Sequence, residues 1–250
     1  MKRVRLVHGG REQWGEVMPD GKAVRLACRA TVDWEALSLL PPVTPGATIF
    51  ALGLNYADHS AELGFTPPAR PLVFLKGANS FVAHGGVSTR PRDAAQMHPE
   101  CELVAVIGRP ARRIAAADAL ACVGGYTIAC DYAVREYLEN YYRPNLRVKN
   151  RDGLTPIGPW IVDADDVGDP QALALSTTVN GEIVQSGSTA SMVFPVAELI
   201  AYLSSFMTLS PGDMILTGTP LGVQFVADGD EVVCEIERVG RLVNHVEPAP

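Results

Sequence analysis

Apolar and polar positions alternate with a period of two along much of this chain, and the pattern is clearest at 101–107, CELVAVI. Alternation there puts Glu100, Glu102, Val104 and Val106 on one face of a strand and Cys101, Leu103, Ala105 and Ile107 on the other. Both faces of its later half are apolar, so the strand is expected to run into a buried place. Strands are also expected at 47–54, 71–75, 125–130, 159–163, 173–179, 182–185, 214–217 and 231–237, with a last one over LVNHV near the end. Asn180-Gly181 is a two-residue hairpin signal between two of them. At the start, VRLVHGGREQWGEV reads as two short strands around Gly9-Gly10, and MPDGKAVRL adds a turn at Asp20-Gly21 and a further strand. Residues 1–45 are therefore expected to form a small β unit, and a proline-bearing connector leads into a larger unit over 46–250.

Helical spacing is rarer. A short helix is expected at 57–63, another at 114–122 ending before Gly124-Gly125, and the two longest at 132–142 and 195–206. Pro195 suits the first turn of the last one. Strands outnumber helices and seldom alternate with them, which disfavours a doubly wound sheet. The expectation is an α+β fold, mainly β, built on bent sheets with a few peripheral helices.

Charge narrows the partners. A net charge of −7 over 250 residues argues against nucleic acid and anionic membrane surfaces, while a small anionic substrate remains compatible through a local cation. The five cysteines, Cys28, Cys101, Cys122, Cys130 and Cys234, form no CxxC pair, so neither a disulfide framework nor a zinc site is expected. MKRVRLVHGG has no continuous apolar h-region, and no stretch approaches the roughly 18 apolar residues of a membrane span. These features fit a soluble cytoplasmic protein.

Two carboxylates in the 98–108 stretch, HPECELVAVIG, raise a chemical question. Residues two apart on a strand are about 6.6 Å apart, close enough for their carboxylates to converge. Buried together they would repel and lose hydration, and a bound cation would relieve both. A solvated strand end is the plain alternative. Asp131 follows the strand GYTIAC, where aspartate alone is an ordinary helix cap. With Glu100 and Glu102 it makes an all-oxygen set suited to Mg²⁺ or Mn²⁺. His98 reads as a surface or supporting residue and not as a ligand. His59 and Glu62 share a helix face, so the carboxylate could hold the imidazole in one tautomer as a proton carrier; an exposed pair is the alternative. Lys149 lies in a polar, Gly/Pro-bounded stretch where a solvated lysine is the default. GDMILTGTPLGV at 212–223 pairs a strand with a Gly/Thr turn whose amides and hydroxyls could receive a carboxylate, and it lacks the Walker lysine.

Taken in order, GLNYADHSAE, PLVFLKG, ECELVAVIG, GYTIACDYAVRE, RVKNRDGLTPIGPW, VNGEIVQSGST and PGDMILTGTPLGV resemble the serial motifs of the fumarylacetoacetate hydrolase superfamily over residues 47–246. The resemblance implies the bent β-sheet roll of that family and a divalent metal, usually Mg²⁺, on Glu100, Glu102 and Asp131. It implies an acid/base dyad of His59 and Glu62 on a lid, a catalytic cation at Lys149, and Asn55, Lys76, Arg135, Gln185 and Thr219 near a small anionic 2-oxo acid substrate. It also implies a homodimer or a pairing with a sister subunit. ENYYRPNLRVKNRD and YLSSFMTLSPGDMILTGTP are most similar to the homoprotocatechuate-pathway branch. That branch decarboxylates 5-oxopent-3-ene-1,2,5-tricarboxylate and isomerises 2-hydroxyhepta-2,4-diene-1,7-dioate. Two departures are His98-Pro99, where the family has an aromatic or acidic lead-in, and Cys130, where asparagine is common. Hydrolysis of an acylpyruvate C–C bond and a non-catalytic metal-binding β protein are the rival readings. A glycosidase is disfavoured, because carboxylates two apart on a strand lie on one side of a substrate and do not flank its bond.

Overall fold

Cys101–Ile107, buried along its whole length, lies inside the largest sheet of the computed structural model, which describes residues 1–138 and 146–250. On one side it pairs antiparallel with Val123–Cys130, Cys101 opposite Cys130; on the other it pairs with Met214–Leu216. Ile49–Gly53 runs parallel to Met214–Leu216, and Leu72–Leu75 closes that edge. In the other direction Val123–Cys130 pairs with Thr155–Asp163, which pairs with Lys2–His8 through Lys2–Val162 and Arg3–Ile161. The N-terminal strands therefore extend this same twelve-stranded sheet. They keep a core of their own, Val4, Leu6, Val17, Val24 and Leu26, capped by Trp34 and Trp160 in an edge-to-face contact at 5.4 Å.

A second sheet of five strands runs Glu182–Ser188, Ala174–Val179, Glu231–Ile236, Gly240–Pro248 and Val87–Arg90. The main core includes Cys101, Leu103, Ala105 and Ile107 together with Leu175, Val232, Cys234, Ile236, Leu242 and Val246 of this second sheet. Val104 and Val106 point the other way, into a smaller cluster with Ile49, Ala51, Ala129, Ile157 and Met214. The period-two reading of this strand thus assigns both faces as found. The mainly β, α+β architecture with few helices is also as expected.

Helices at Ala57–Glu62 and Val196–Phe206 match expectation, with Pro195 as the cap of the latter. The one expected at 114–122 is Ala116–Ala119 followed by a 3₁₀ turn, Leu120–Cys122. The expected helix over 132–142 is not found in its described part. Ala133–Val134 instead pairs with Met97–His98, and a 3₁₀ turn follows at Arg135–Tyr137; residues 139–142 lie outside the described residues. Burial of Tyr132, Ala133, Val134 and Tyr137 on that short ladder outweighs local helical spacing. One-turn helices at Leu146–Lys149 and Ala164–Val167 were not legible in the pattern. No helix among the described residues is long and apolar enough to cross a membrane.

Gly125 lies on the strand that delivers Asp131, and a Cβ there would meet the Val162 carbonyl oxygen at 2.5 Å and Ile161 Cγ2 at 2.7 Å. Gly125→Ala should therefore force the Val123–Cys130 and Thr155–Asp163 strands apart and cost about 1–3 kcal/mol, read as a lowered denaturant midpoint. An unchanged midpoint would show that the ladder can shift freely at this point.

Candidate functional site

Alternation carries Glu100 and Glu102 to one side of their strand, and the Cys101–Cys130 register sets Asp131 beside Glu100, whose carbonyl accepts the Asp131 N–H at 2.9 Å. Carboxylate oxygens of the three residues lie within 4.8 Å of one another, and the residues are 6%, 1% and 0% exposed. The solvated strand end is thereby excluded. Like charges at such a spacing repel by roughly 3 to 4 kcal/mol per pair at an effective dielectric near 20.

Two buried lysines answer part of that charge. Lys149 Nζ donates to Glu100 Oε2 at 2.6 Å and to the Asp131 carbonyl at 2.8 Å. Lys76 Nζ donates to Asp131 Oδ1 at 2.7 Å and to the Lys149 carbonyl. Lys149 is thus not the solvated loop lysine of the default reading. The Leu146–Lys149 turn aims it inward at the carboxylates. Burial would lower its pKa, but Asp131, Glu100 and Glu102 together raise it above the ordinary lysine value. Burial prevails at Lys76, whose pKa is lowered despite Asp131.

The carboxylates are served unequally. Burial would raise Glu100, but Lys149 foremost, with Arg135 among its further charged neighbours, holds it well below its usual range. Among the described residues Glu102 has one hydrogen bond, from Gly218 N–H at 2.7 Å, and burial, Asp131 and Glu100 push its pKa well up. Lys149 Nζ is 3.1 Å from Asp131 Oδ2 but outside hydrogen-bond geometry, so this buried oxygen accepts no hydrogen bond from any described residue. An orphaned carboxylate oxygen, an under-compensated glutamate and an all-oxygen donor set fit a hard divalent cation. The chemistry of the three residues therefore agrees with such a cofactor.

His59 and Glu62 lie on the Ala57–Glu62 helix, with His59 Nδ1 3.0 Å from Glu62 Oε2. The Val223 N–H donates to Glu62 Oε1 at 2.9 Å and the Gly222 N–H to Oε2 at 3.3 Å. Assigning the shared proton to Nδ1 leaves Nε2 as the free proton-carrying atom. Burial would raise the Glu62 pKa, but the amides of Val223 and Gly222 and the His59 ring lower it. His59 is buried and close enough to Glu100 to help lower that carboxyl. His59 is thus not the exposed residue of the plain alternative, whereas Glu62, at the end of the helix, is exposed.

The five residues expected near a substrate divide. Asn55 is committed to the protein: its Nδ2 donates to the Phe194 and Thr217 carbonyls and its Oδ1 accepts the Phe194 N–H. Gln185 is saturated, donating to Thr219 Oγ1 and the Pro220 carbonyl while accepting from Cys101 N–H and Thr177 Oγ1. Thr219 spends its own proton on the Cys101 carbonyl. These three hold the 217–220 turn against the strand between the two glutamates. Lys76 and Arg135 instead touch the carboxylates, Arg135 Nη2 at 3.4 Å from Glu100 Oε1.

The structure also places groups whose role the sequence reading left open. His98, expected at the surface or in support, is fully buried and takes the second of these places, against Arg135; burial pushes it down to about 3. The backbone amides of Gly218, Gly222 and Val223 do receive carboxylates, as the Gly/Thr turn suggested, but those of Glu102 and Glu62. Gly218 and Gly222 both have positive φ, which a side chain would strain. Cys130, the departure before Asp131, faces the main core, where burial and then Cys234 raise its thiol.

Residues 48–247 match the fumarylacetoacetate (FAA) hydrolase C-terminal family model. A "4-hydroxyphenylacetate degradation bifunctional isomerase/decarboxylase" of Salmonella dublin is 60% identical over 205 residues, covering 82% of this chain and 48% of that protein. The chain spans about half the length of this and the two similar Escherichia coli relatives it matches. A crystal structure of 5-carboxymethyl-2-hydroxymuconate delta-isomerase from Mycobacterium smegmatis superposes with a TM-score of 0.88 at 33% identity, covering 100% of both chains. Fumarylpyruvate hydrolase from Pseudomonas aeruginosa, solved with Mn²⁺ and pyruvate, gives 0.75 at 34% identity over 84% of this chain and 91% of that one.

The lowered Glu62 pKa fixes a pH dependence for the docked helix. A carboxyl depressed on docking favours the docked form above its undocked pKa and loses that contribution as pH falls through its docked value. Amide exchange over 57–63, corrected for intrinsic rates, should stay slow near neutral pH and rise below the ordinary glutamate pKa of 4.5. Glu62→Gln should remove the pH step. A step of unchanged size in that variant would assign it to another group.

Proposed function

The chain belongs to the fumarylacetoacetate hydrolase C-terminal family, and on that premise we propose that it decarboxylates 5-oxopent-3-ene-1,2,5-tricarboxylate and isomerises 2-hydroxyhepta-2,4-diene-1,7-dioate. The observation that carries this reading is a buried carboxylate triad with an unmet oxygen, in a chain that also holds a buried histidine against a carboxylate. Similarity to relatives named for the isomerase and decarboxylase supports the choice of reaction within the family. A divalent cation, Mg²⁺ in this reading, would be held by Glu100, Glu102 and Asp131 and would supply Lewis acidity to the 2-oxo acid end of the substrate.

The chain's own residues do the rest. When the C–C bond to CO₂ breaks, its electron pair runs through the alkene into the keto group and gives a dienolate. Lys149, kept cationic by three carboxylates, stabilises that charge electrostatically. No base is needed to break this bond. The dienol then ketonises by moving a proton from oxygen to carbon, and His59 Nε2 carries it while Glu62 holds the ring. Asn55, Gln185 and Thr219 keep the 217–220 turn in register so that Gly218 can serve Glu102. The amides of Gly222 and Val223 hold Glu62, and through it the His59 ring, in place. The same dyad could orient water for hydrolysis of an acylpyruvate, which is the second reading.

A panel with Mg²⁺ decides between them: the tricarboxylate and the dienedioate should turn over, and simple acylpyruvates should not. Hydrolysis of acylpyruvates alone would establish the second reading. Glu102→Gln should abolish Mg²⁺ binding and turnover with the fold retained, and full activity after chelation would refute the cation's role. His59→Ala should slow ketonisation by about 10²-fold or more while CO₂ release suffers less. Lys149→Ala should slow both, since one oxyanion develops in each. A His59→Ala protein that isomerises normally but no longer decarboxylates would reverse these roles.

A further inference from the structure

His98 and Arg135 are brought together by the small ladder that replaced the expected helix. Met97–His98 pairs with Ala133–Val134, and the Arg135 N–H donates to the Gln96 carbonyl at 3.0 Å. Arg135 Nε then donates to His98 Nε2 at 2.8 Å. A guanidinium only donates, so that ring nitrogen carries no hydrogen and the imidazole is the neutral tautomer protonated on Nδ1, which lies 3.4 Å from the Pro99 carbonyl. The 3.5 Å approach of His98 Nε2 to Glu100 Oε1 is accordingly a packing contact and not an ion pair. Phe225 packs across the ring at 6.4 Å between centroids.

A buried ring offers its acceptor in one direction only, and the Nε–Nη2 edge of Arg135 is thereby turned to His98 and Glu100. Nη1 has no partner among the described residues, and the Arg135 side chain keeps 19% of its surface exposed. Lys76 and Lys149, at 0% and 8%, are spent on carboxylates. Among the described cations touching the acid cluster, Arg135 alone presents an open donor edge. A 2-oxo acid whose near end lies at the triad has that end neutralised there. An outward-facing guanidinium beyond Glu100 suits a separate carboxylate, for which its planar fork is shaped.

We propose that His98 is a positioning residue that fixes the Arg135 guanidinium to receive the far carboxylate of the substrate, so that the site selects dicarboxylic over monocarboxylic 2-oxo acids. This rests on the 2-oxo acid reading of the site and extends it to substrate choice.

Binding, not turnover, tests it. The Mg²⁺-loaded full chain is titrated calorimetrically with 2-oxopimelate and with 2-oxoheptanoate, which has the same carbon number but ends in a methyl group. The wild type should bind the dicarboxylate about tenfold tighter or more, as one charge-assisted bidentate pair permits. His98→Leu should shrink that preference to about threefold or less while leaving affinity for the monocarboxylate within about twofold. His98→Gln, whose side-chain carbonyl can accept the Nε–H, should restore most of it. Arg135→Lys should lose it, and that variant together with His98→Gln carries the test if His98→Leu melts. No preference in the wild type, an equal weakening of both acids in His98→Leu, a His98→Gln no better than His98→Leu, or full preference in Arg135→Lys would each overturn the proposal. A wild type that shows the preference but turns over neither pathway acid would refute the proposed reactions and leave this selectivity standing.

Discussion

Three carboxylates buried within a few ångströms of one another are the constraint on which the site is built. Their mutual repulsion and lost hydration have to be met from within the fold, and the nearest cations are drawn from distant points of the chain. Lys76 follows the sheet-edge strand Leu72–Leu75, Lys149 ends a single helical turn, and Arg135 comes from the short ladder. All three converge on Glu100 and Asp131. Among the described residues, Glu102 is left with one backbone amide. That unevenness leaves room for a cation, which a closed salt-bridge network with a partner for each buried carboxylate would not.

The Gly/Thr turn after Met214–Leu216 links this electrostatic centre to its cover. Gly218 gives its amide to Glu102, and four and five residues later Gly222 and Val223 give theirs to Glu62. Gln185 pins the segment between by using all of its hydrogen-bonding capacity on Thr219, Pro220, Cys101 and Thr177. One backbone stretch thereby sets both the carboxylate geometry and the seat of the His59–Glu62 pair. Residues with no spare donor act here by holding others in place, which is how a rigid surround keeps a reactive centre within tolerance.

Much of this was legible in the sequence. A period-two pattern at 101–107 named the faces of the central strand, because side chains alternate strictly across a sheet and a buried strand tolerates no slip. The oxygen-only set of Glu100, Glu102 and Asp131 was visible as residue type and spacing, and the His59–Glu62 pair as a helical i,i+3 match. The helix expected over 132–142 fails in its described part, 132–138, where tertiary pairing overrides it: Tyr132, Ala133, Val134 and Tyr137 satisfy helical spacing, yet gain burial where Ala133–Val134 pairs with the distant Met97–His98.

Sequence by itself determined which carboxylates share a strand face and which strands reach the core, since both follow from local periodicity. Tertiary structure alone decided the direction of each lysine, the burial of His98 beneath Arg135, and the commitment of Asn55, Gln185 and Thr219 to the scaffold. These depend on contacts between segments separated by tens to more than a hundred residues, as between Gly218 and Glu102. A side chain's type fixes what it can donate or accept. Which partner takes that capacity, and whether any is left for a substrate, depends on the register of strands far apart in the chain, and local pattern carries no record of it.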